Sequence, residues 1–411
     1  VGETIFMRKK IQYDYQPHNF KNSAPTKYQL TELTPEQILI NIGPQHPATH
    51  GILRLEVILD GEIVVDVVPH LGYLHRCFEK HASVLPYNQI IPYVDRMDYL
   101  AAMNSEHAFA MGVERMLGLE GKLPLRVEYI RVLVAELNRL TSHFMAIGTY
   151  GIDLGAFTAF LWLMRDREYI LRLLEWLSGA RMLYNYIWIG GLYYDLPIGF
   201  EEQCKEFIIY LKPKIVEIEH LLTDNILFIN RTAKVGVLPL ETAINHAASG
   251  PVLRASGLRF DLRRVDGYSV YPELSFDIPI GQGLAGCVGD CWDRTWVRVQ
   301  ECKESIKIIE QCLIRLTTDL QRTPDFDPHK MVPKKVRTQA QDCYTRAENP
   351  RGELGFFFRA SNNGDKPLRC KARSSSFSNL SLLPSIAKGQ TFADLIAIIG
   401  SIDIVLGEID R

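Results

Sequence analysis

Two hydrophobic periods share this chain, and where one gives way to the other constrains the fold most. Leu53, Leu55, Val57 and Leu59 alternate with more polar neighbours, Asp60-Gly61 supplies the positive-φ residues of a two-residue turn, and Ile63, Val65 and Val67 alternate back. An antiparallel hairpin over 52–68 is expected. From Asp95 onward Met97, Leu100, Met103, Phe109, Met116 and Leu117 recur every three or four residues, which places Tyr99 near the start of a helix. Pro124 can open a second helix through Tyr129, Val134, Leu137 and Phe144. A third is expected over about 155–180, with Arg165, Asp166, Arg167 and Glu168 as a solvated charged face, and others over 200–224, 239–248 and 290–320. Together the two periods predict an α+β fold with a central helical bundle.

Residues 1–38 have no sustained period and are read as an extended arm, followed by a β-rich N-terminal region over 39–95 and the helical bundle over 96–320. The Pro-, Lys- and Arg-rich stretch 321–350 is read as a connecting loop. Residues 351–411 are expected to form a second hairpin and a buried tail. Phe356, Phe357 and Phe358 lie on one arm of that hairpin, Asn362-Asn363-Gly364 at its turn, and Leu368, Cys370 and Ala372 alternate with Arg369, Lys371 and Arg373 on the other. An apolar helix from about Thr391 to Gly400 then leads to a tail whose carboxylates sit among apolar residues.

At 411 residues, 47% of them hydrophobic, the chain has ample material for a large core. Its formal net charge of -2 gives no bias toward nucleic acid. Eight cysteines are scattered without a disulfide-scaffold spacing, which points to a reducing compartment. The longest apolar run, Leu154 to Met164, is well short of the roughly 20 residues that span a bilayer, and no signal peptide is visible. Val1 in first place is compatible with a removed presequence.

The stretch Gly43-Pro44-Gln45-His46-Pro47-Ala48-Thr49-His50-Gly51 carries two histidines four apart, but Pro44, Pro47 and Gly51 forbid a regular helix through them. They lie in a turn, where both imidazoles can hydrogen-bond the loop's own backbone. A zinc set drawn from His70, His75 and His81 lacks a His-Glu-x-x-His pattern and any Cys-x-x-Cys pair, so no metal is assigned. The loop Gly281 to Gly286 lacks the Lys-Ser/Thr of a phosphate cradle, so NAD is not expected to bind this chain. Taken singly, Tyr99 reads as a packing residue and Asp153 as a helix cap.

Taken in order, the motifs Gly43 to Arg54, His70 to Arg76, Asp95 to Tyr99, Ser178 to Arg181, Asp195-Leu196-Pro197, Arg254 to Gly257, Asp261 to Arg264, Glu348 to Glu353 and Asp403 to Arg411 resemble the quinone-binding 49 kDa subunit family of respiratory complex I, the NADH:ubiquinone oxidoreductase. That family is similar to the large subunit of nickel–iron hydrogenases, where two Cys-x-x-Cys pairs hold the metals. The matching positions here are Asp98 and Ala101, then Val405 and Glu408, so the resemblance implies a vacated metal cavity. Motifs from both ends converge on it, so the region after about residue 40 is one compact unit.

The resemblance further implies that the cavity takes ubiquinone, with His50 and Tyr99 hydrogen-bonding its carbonyl oxygens and Asp153 partnering His50. His46, Pro47, Thr49 and Gly51 would shape the loop, with Arg76, Asp98, Val405 and Glu408 in support. Electrons would come from a 4Fe-4S cluster in a neighbouring hydrogenase-small-subunit-like protein, since no cysteine pattern for a cluster is present here. Other implied partners are the 30 kDa-type subunit and the membrane-arm subunits at the quinone channel, where quinone reduction is coupled to proton pumping. The implied location is the matrix side of the mitochondrial inner membrane, with the cytoplasmic face of a bacterial plasma membrane as the alternative. Leu183 stands where the family usually has a His near the donor cluster, and Trp188-Ile189 replaces its usual Arg-Pro. A hydrogenase-fold scaffold without chemistry, or a metal-dependent hydrogenase, are the competing readings.

Overall fold

The computed structural model describes residues 10–12, 29–31, 36–46, 49, 51–322 and 326–411. In the expected N-terminal arm, β1 (Lys10–Gln12) pairs antiparallel with β2 (Gln29–Thr31), and the remainder up to residue 35 lies outside the described residues. The hairpin forms as β4 (Arg54–Asp60) and β5 (Ile63–His70), and β3 (Gln37–Ile42), which the sequence pattern did not reveal, pairs with β4 to complete a three-stranded sheet.

Asp60 pairs with Ile63, so the two-residue loop is Gly61-Glu62 rather than Asp60-Gly61. The register shifts between Ile58 and Leu59, which turns Val64 and Val67 inward and leaves Ile63 44% exposed, against the expected face of Ile63, Val65 and Val67. An irregularity of that kind re-aims every later side chain. The start of β5's outer edge is paired by the far end of the chain: Val64 N–H donates to Gln390 O (2.9 Å), and Gly389 N–H to Val64 O (2.8 Å).

The stretch 39–95 is not only β-structure, because it also holds α1 (Phe78–Ala82) and α2 (Tyr87–Asp95). Helix α3 (Ala102–Leu117) begins seven residues after α2 ends, so the helical run expected from Asp95 is interrupted and Tyr99 lies on the turn between the two. Gly118 ends α3 at φ 66°, a left-handed cap that costs a glycine little. Helix α4 (Leu125–Asp153) starts after Pro124 as expected, and α5 (Phe157–Ser178) follows. Asp166 of α5 is buried rather than part of a solvated face; it accepts from Tyr210 Oη (2.8 Å) and Arg165 Nε (2.8 Å).

A two-residue ladder, β6 (Ile187–Trp188) with β7 (Gly191–Leu192), precedes α6 (Phe200–Ile218), which widens into a π turn over Glu219–Thr223. Short helices α7 (Ile226–Thr232), α8 (Leu240–Asn245), α9 (Gly250–Ala255) and α10 (Leu262–Val265) lead to α11 (Cys291–Thr318), whose N-cap Asp290 accepts from Asp293 N–H (2.8 Å).

The connection read over 321–350 contains a strand, β8 (Asp342–Asn349), paired with β9 (Gly352–Ala360), which pairs in turn with β10 (Pro367–Arg373). The register shifts between Pro367 and Arg369, so Leu368 is 61% exposed instead of facing inward with Cys370 and Ala372. This sheet packs on α3: Phe109 meets Phe356 and Phe358 edge-on at centroid distances of 5.6 and 5.3 Å. A Cβ at Gly112 would stand 2.5 Å from the Phe358 ring, so only glycine allows that approach. The chain ends in α12 (Ser375–Leu380), α13 (Leu383–Ala387), α14 (Phe392–Ile402) and α15 (Leu406–Asp410), and the tail is buried as expected. Among the described residues no helix is long and apolar enough to cross a membrane.

Charged groups cross the seam between α4 and α11. Glu136 accepts from Arg139 Nε (3.2 Å), Arg263 Nη1 (3.2 Å), Tyr271 Oη (2.7 Å) and Ser305 Oγ (2.7 Å). Arg254 joins Glu301 (2.8 Å) to Glu348 (2.7 Å), and His143 Nε2 lies 3.0 Å from Glu301. Burial alone would raise the Glu136 carboxyl, but Arg139 and Arg263 outweigh it and hold Glu136 below its ordinary range. Glu136→Ala therefore leaves two buried guanidiniums without their shared counter-charge, with an expected loss of about 3–5 kcal/mol. Pulse proteolysis of this chain in its native assembly measures that loss.

Candidate functional site

The 96–101 turn and the end of α4 meet the C-terminal tail at the candidate site, and the 43–53 loop is built by contacts within itself. Gly43 adopts φ 77°, and a Cβ there would stand 2.1 Å from Leu53 O, so the loop closes on itself only with glycine. Thr49 is buried; its hydroxyl donates to His46 O (2.9 Å), and Leu53 N–H donates to Thr49 O (3.2 Å). Gly51 adopts φ 83°, and His46 is exposed. Pro47 and His50 lie outside the described residues.

Tyr99 is half-buried on the turn after α2. A Cβ at Gly407 of α15 would stand 3.3 Å from Tyr99 Cε1 and 2.7 Å from Met97 O, so the tail glycine lets the helix lie directly under this turn. Burial raises the Tyr99 phenol; Arg351 and Arg76 pull it down, while Asp98 and Asp403 push it further up. The phenol is thus held in its proton-bearing form. Beside it, Arg351 Nη1 donates to both oxygens of Asp98 (2.9 and 3.0 Å), and Arg351 Nε lies 3.3 Å from Asp403. Burial pushes the Asp98 carboxyl up to about 6 against the pull of Arg351, with Glu408 and Asp403 adding repulsion.

Asp153 is the last residue of α4 rather than an N-terminal cap, so no first-turn N–H group is available to it. Its Oδ2 is buried without a hydrogen-bond partner among the described residues, and burial raises the carboxyl to about 6. A Cβ at Gly400 of α14 would stand 2.9 Å from that oxygen. Gly400 and Gly407 therefore seat Asp153 and Tyr99 against opposite ends of one short tail segment. The segment is fixed from α11, where Arg294 Nε donates to Ser401 Oγ (2.9 Å) and Arg298 Nη1 to Ser401 O (2.8 Å).

At the positions matched to the hydrogenase thiolates, the donors are already engaged. Asp98 is taken by Arg351. Glu408 Oε1 accepts from Ser375 N–H (2.6 Å) and Ser375 Oγ (2.9 Å), and its Oε2 from Ser376 Oγ (2.9 Å). Ala101 and Val405 are buried apolar groups. Arg76 is exposed at the end of a loop tied to the tail, where Gly72 N–H and Leu74 N–H donate to the Asp410 carboxylate (2.9 and 2.7 Å).

Arg351, Asp403, Gly400, Gly407 and Asp410 were not among the expected site residues. Arg351 and Asp403 stood inside the ordered motifs, and a charge in an otherwise apolar tail was the one visible signal for Asp403. The glycines gave none, because their role is to leave space for groups distant in sequence.

Residues 153–411 match the family model described as respiratory-chain NADH dehydrogenase, 49 Kd subunit. The chain is 84% identical, over 98% of its length and 100% of the relative's, to a protein from Amoebophilus asiaticus named as a subunit of NADH-quinone oxidoreductase. It is 67% identical, over 95% of its length and 100% of the relative's, to an NADH-quinone oxidoreductase subunit from Cytophaga hutchinsonii. A relative of the same name from Chlorobium phaeovibrioides is 56% identical over 92% of this chain and 94% of its own. The chain belongs to the 49 kDa subunit family of the respiratory-chain NADH dehydrogenase, with the hydrogenase large-subunit-like fold of that family.

Proposed function

We propose that the segments meeting around Tyr99 form the head-group end of a ubiquinone site in a core subunit of complex I, the NADH:quinone oxidoreductase. The complex is the enzyme, and its other subunits are the partners of this chain. What carries the reading is the seating of Tyr99 and of the unpartnered Asp153 oxygen against one tail segment held by Gly407 and Gly400.

Reduction of a quinone to a quinol takes two electrons and two protons and develops negative charge on two carbonyl oxygens. A 4Fe-4S cluster of the neighbouring hydrogenase-small-subunit-like protein supplies the electrons. Tyr99, kept protonated by burial, donates a hydrogen bond to one oxygen and delivers a proton as charge builds there. His50 serves the other oxygen, with Asp153 as its partner, whose carboxyl is raised to about 6 by burial and so can hold and release a proton near neutrality. His46, Thr49 and Gly51 shape the loop that presents His50, and Arg76 tempers the negative field at the phenol.

The 30 kDa-type subunit and the membrane-arm subunits complete the channel, and movement of the 43–51 and 71–76 loops carries the event to proton pumping. Relatives from bacteria favour the cytoplasmic face of a bacterial plasma membrane over the mitochondrial matrix.

In the native assembly Tyr99→Phe is expected to lower NADH-driven reduction of a short-chain ubiquinone about a hundredfold, with NADH oxidation by an artificial acceptor unchanged. Undiminished quinone turnover at equal assembly would favour a scaffold without chemistry. Gly407→Ala pushes its Cβ into Met97 O beneath the same turn, and is expected to cost about tenfold in the same assay while Tyr99 itself is intact.

A further inference from the structure

Asp95 closes α2 and Glu106 lies in the second turn of α3, so the two flank the turn that carries Tyr99. Both side chains are fully buried. Each uses one oxygen to hold the same passing segment: Asp95 Oδ2 accepts from Asn185 N–H (2.9 Å), and Glu106 Oε2 from Tyr186 N–H (3.0 Å) and Ile187 N–H (2.6 Å). The other oxygens, Asp95 Oδ1 and Glu106 Oε1, are buried without a hydrogen-bond partner among the described residues, and the two carboxyls lie close enough for each to shift the other. Ionised carboxylates only accept, so two of them can bond only if a proton lies between.

We propose that Asp95 and Glu106 share one proton and act together as a positioning clasp, which fastens the Tyr99 turn to the 185–187 segment and sets where the phenol stands. The proposal rests on the reading of Tyr99 as a quinone ligand. It deepens that reading, because neither carboxyl touches the quinone.

Among the described residues no buried cation pairs with either carboxyl. Arg96 pulls Asp95 down but is exposed, Arg167 of α5 acts on Tyr184, and Tyr184 and Tyr186 face the pair as phenols raised by burial. Burial likewise raises Asp95 to about 6 and Glu106 well above its ordinary range, Asp95 adding to the latter. A raised acid keeps its proton at low pH and loses it as pH rises, so the clasp is closed on the acid side and strained by repulsion on the alkaline side.

An amide can stand in for one protonated carboxyl and not for two. In Glu106→Gln the amide oxygen keeps the Tyr186 and Ile187 N–H groups, its NH2 donates to ionised Asp95, and the charge of the pair is unchanged; Asp95→Asn does the converse. In the double variant two NH2 groups face each other without an acceptor.

In the native complex each single variant is expected to keep the KM for a short-chain ubiquinone within about twofold of the parent, and the double variant to raise it about tenfold or more. The parent's KM should rise toward alkaline pH, and the single variants should be flat. An infrared band of a protonated carboxyl, present in the parent, should be missing from both.

Single variants as impaired as the double one would overturn the clasp, as would a double variant as good as either single, or a parent without the acid band. If the double variant does not assemble, the band and the pH profiles of the singles decide the matter. Loss of the quinone reading through an active Tyr99→Phe would leave the band unaltered, so the two failures are separable.

Discussion

A charge taken out of water has to find its opposite within the protein, and between α4 and α11 that requirement fixes the frame. Arg139, Arg254 and Arg263 are held by Glu136, Asp261, Glu301 and Glu348, which come from two long helices, the cap of a short one and a strand. Apolar packing tolerates small slips, whereas a guanidinium shifted by an ångström loses geometry it cannot regain from solvent. The tail inherits this precision, because Arg294 and Arg298 of the same α11 grip Ser401. Tyr99 and Asp153 are located through that tail, and so by a network that lies away from them.

Much of the frame could be read in the sequence, because period is a local property. Both hairpins, α4 after Pro124, α11 and α14 follow from alternation, capping and apolar spacing. The strands β3 and β8 were missed since each is stabilised by a partner whose own pattern carried the signal. The bulges that exposed Ile63 and Leu368 are invisible to a rule that counts by twos. The break at Arg96–Ala101 hid inside a run whose apolar spacing continues across it.

The candidate site was proposed from the ordered motifs and their resemblance, and scarcely at all from single residues. Asp153 illustrates the difference. Local reasoning made it a cap, while the fold gives it the end of a helix where no N–H group awaits it and one oxygen is left over. Arg351 and Asp98 pair across 253 positions of sequence, and no window of local pattern spans such a distance. The match of Asp98, Ala101, Val405 and Glu408 to hydrogenase thiolates came from the resemblance alone, and in the fold both carboxylates are in structural use.

The pairing of β5 at Val64 with Gly389 and Gln390, and of the 72–74 loop with Asp410, joins groups up to 338 residues apart. On the ribosome the first sheet is therefore made long before the segment that covers its edge. During that interval β5 offers bare N–H and C=O groups to any neighbouring strand. Nascent copies on one message stand close together, and the open edge makes their mutual pairing the competing outcome of synthesis.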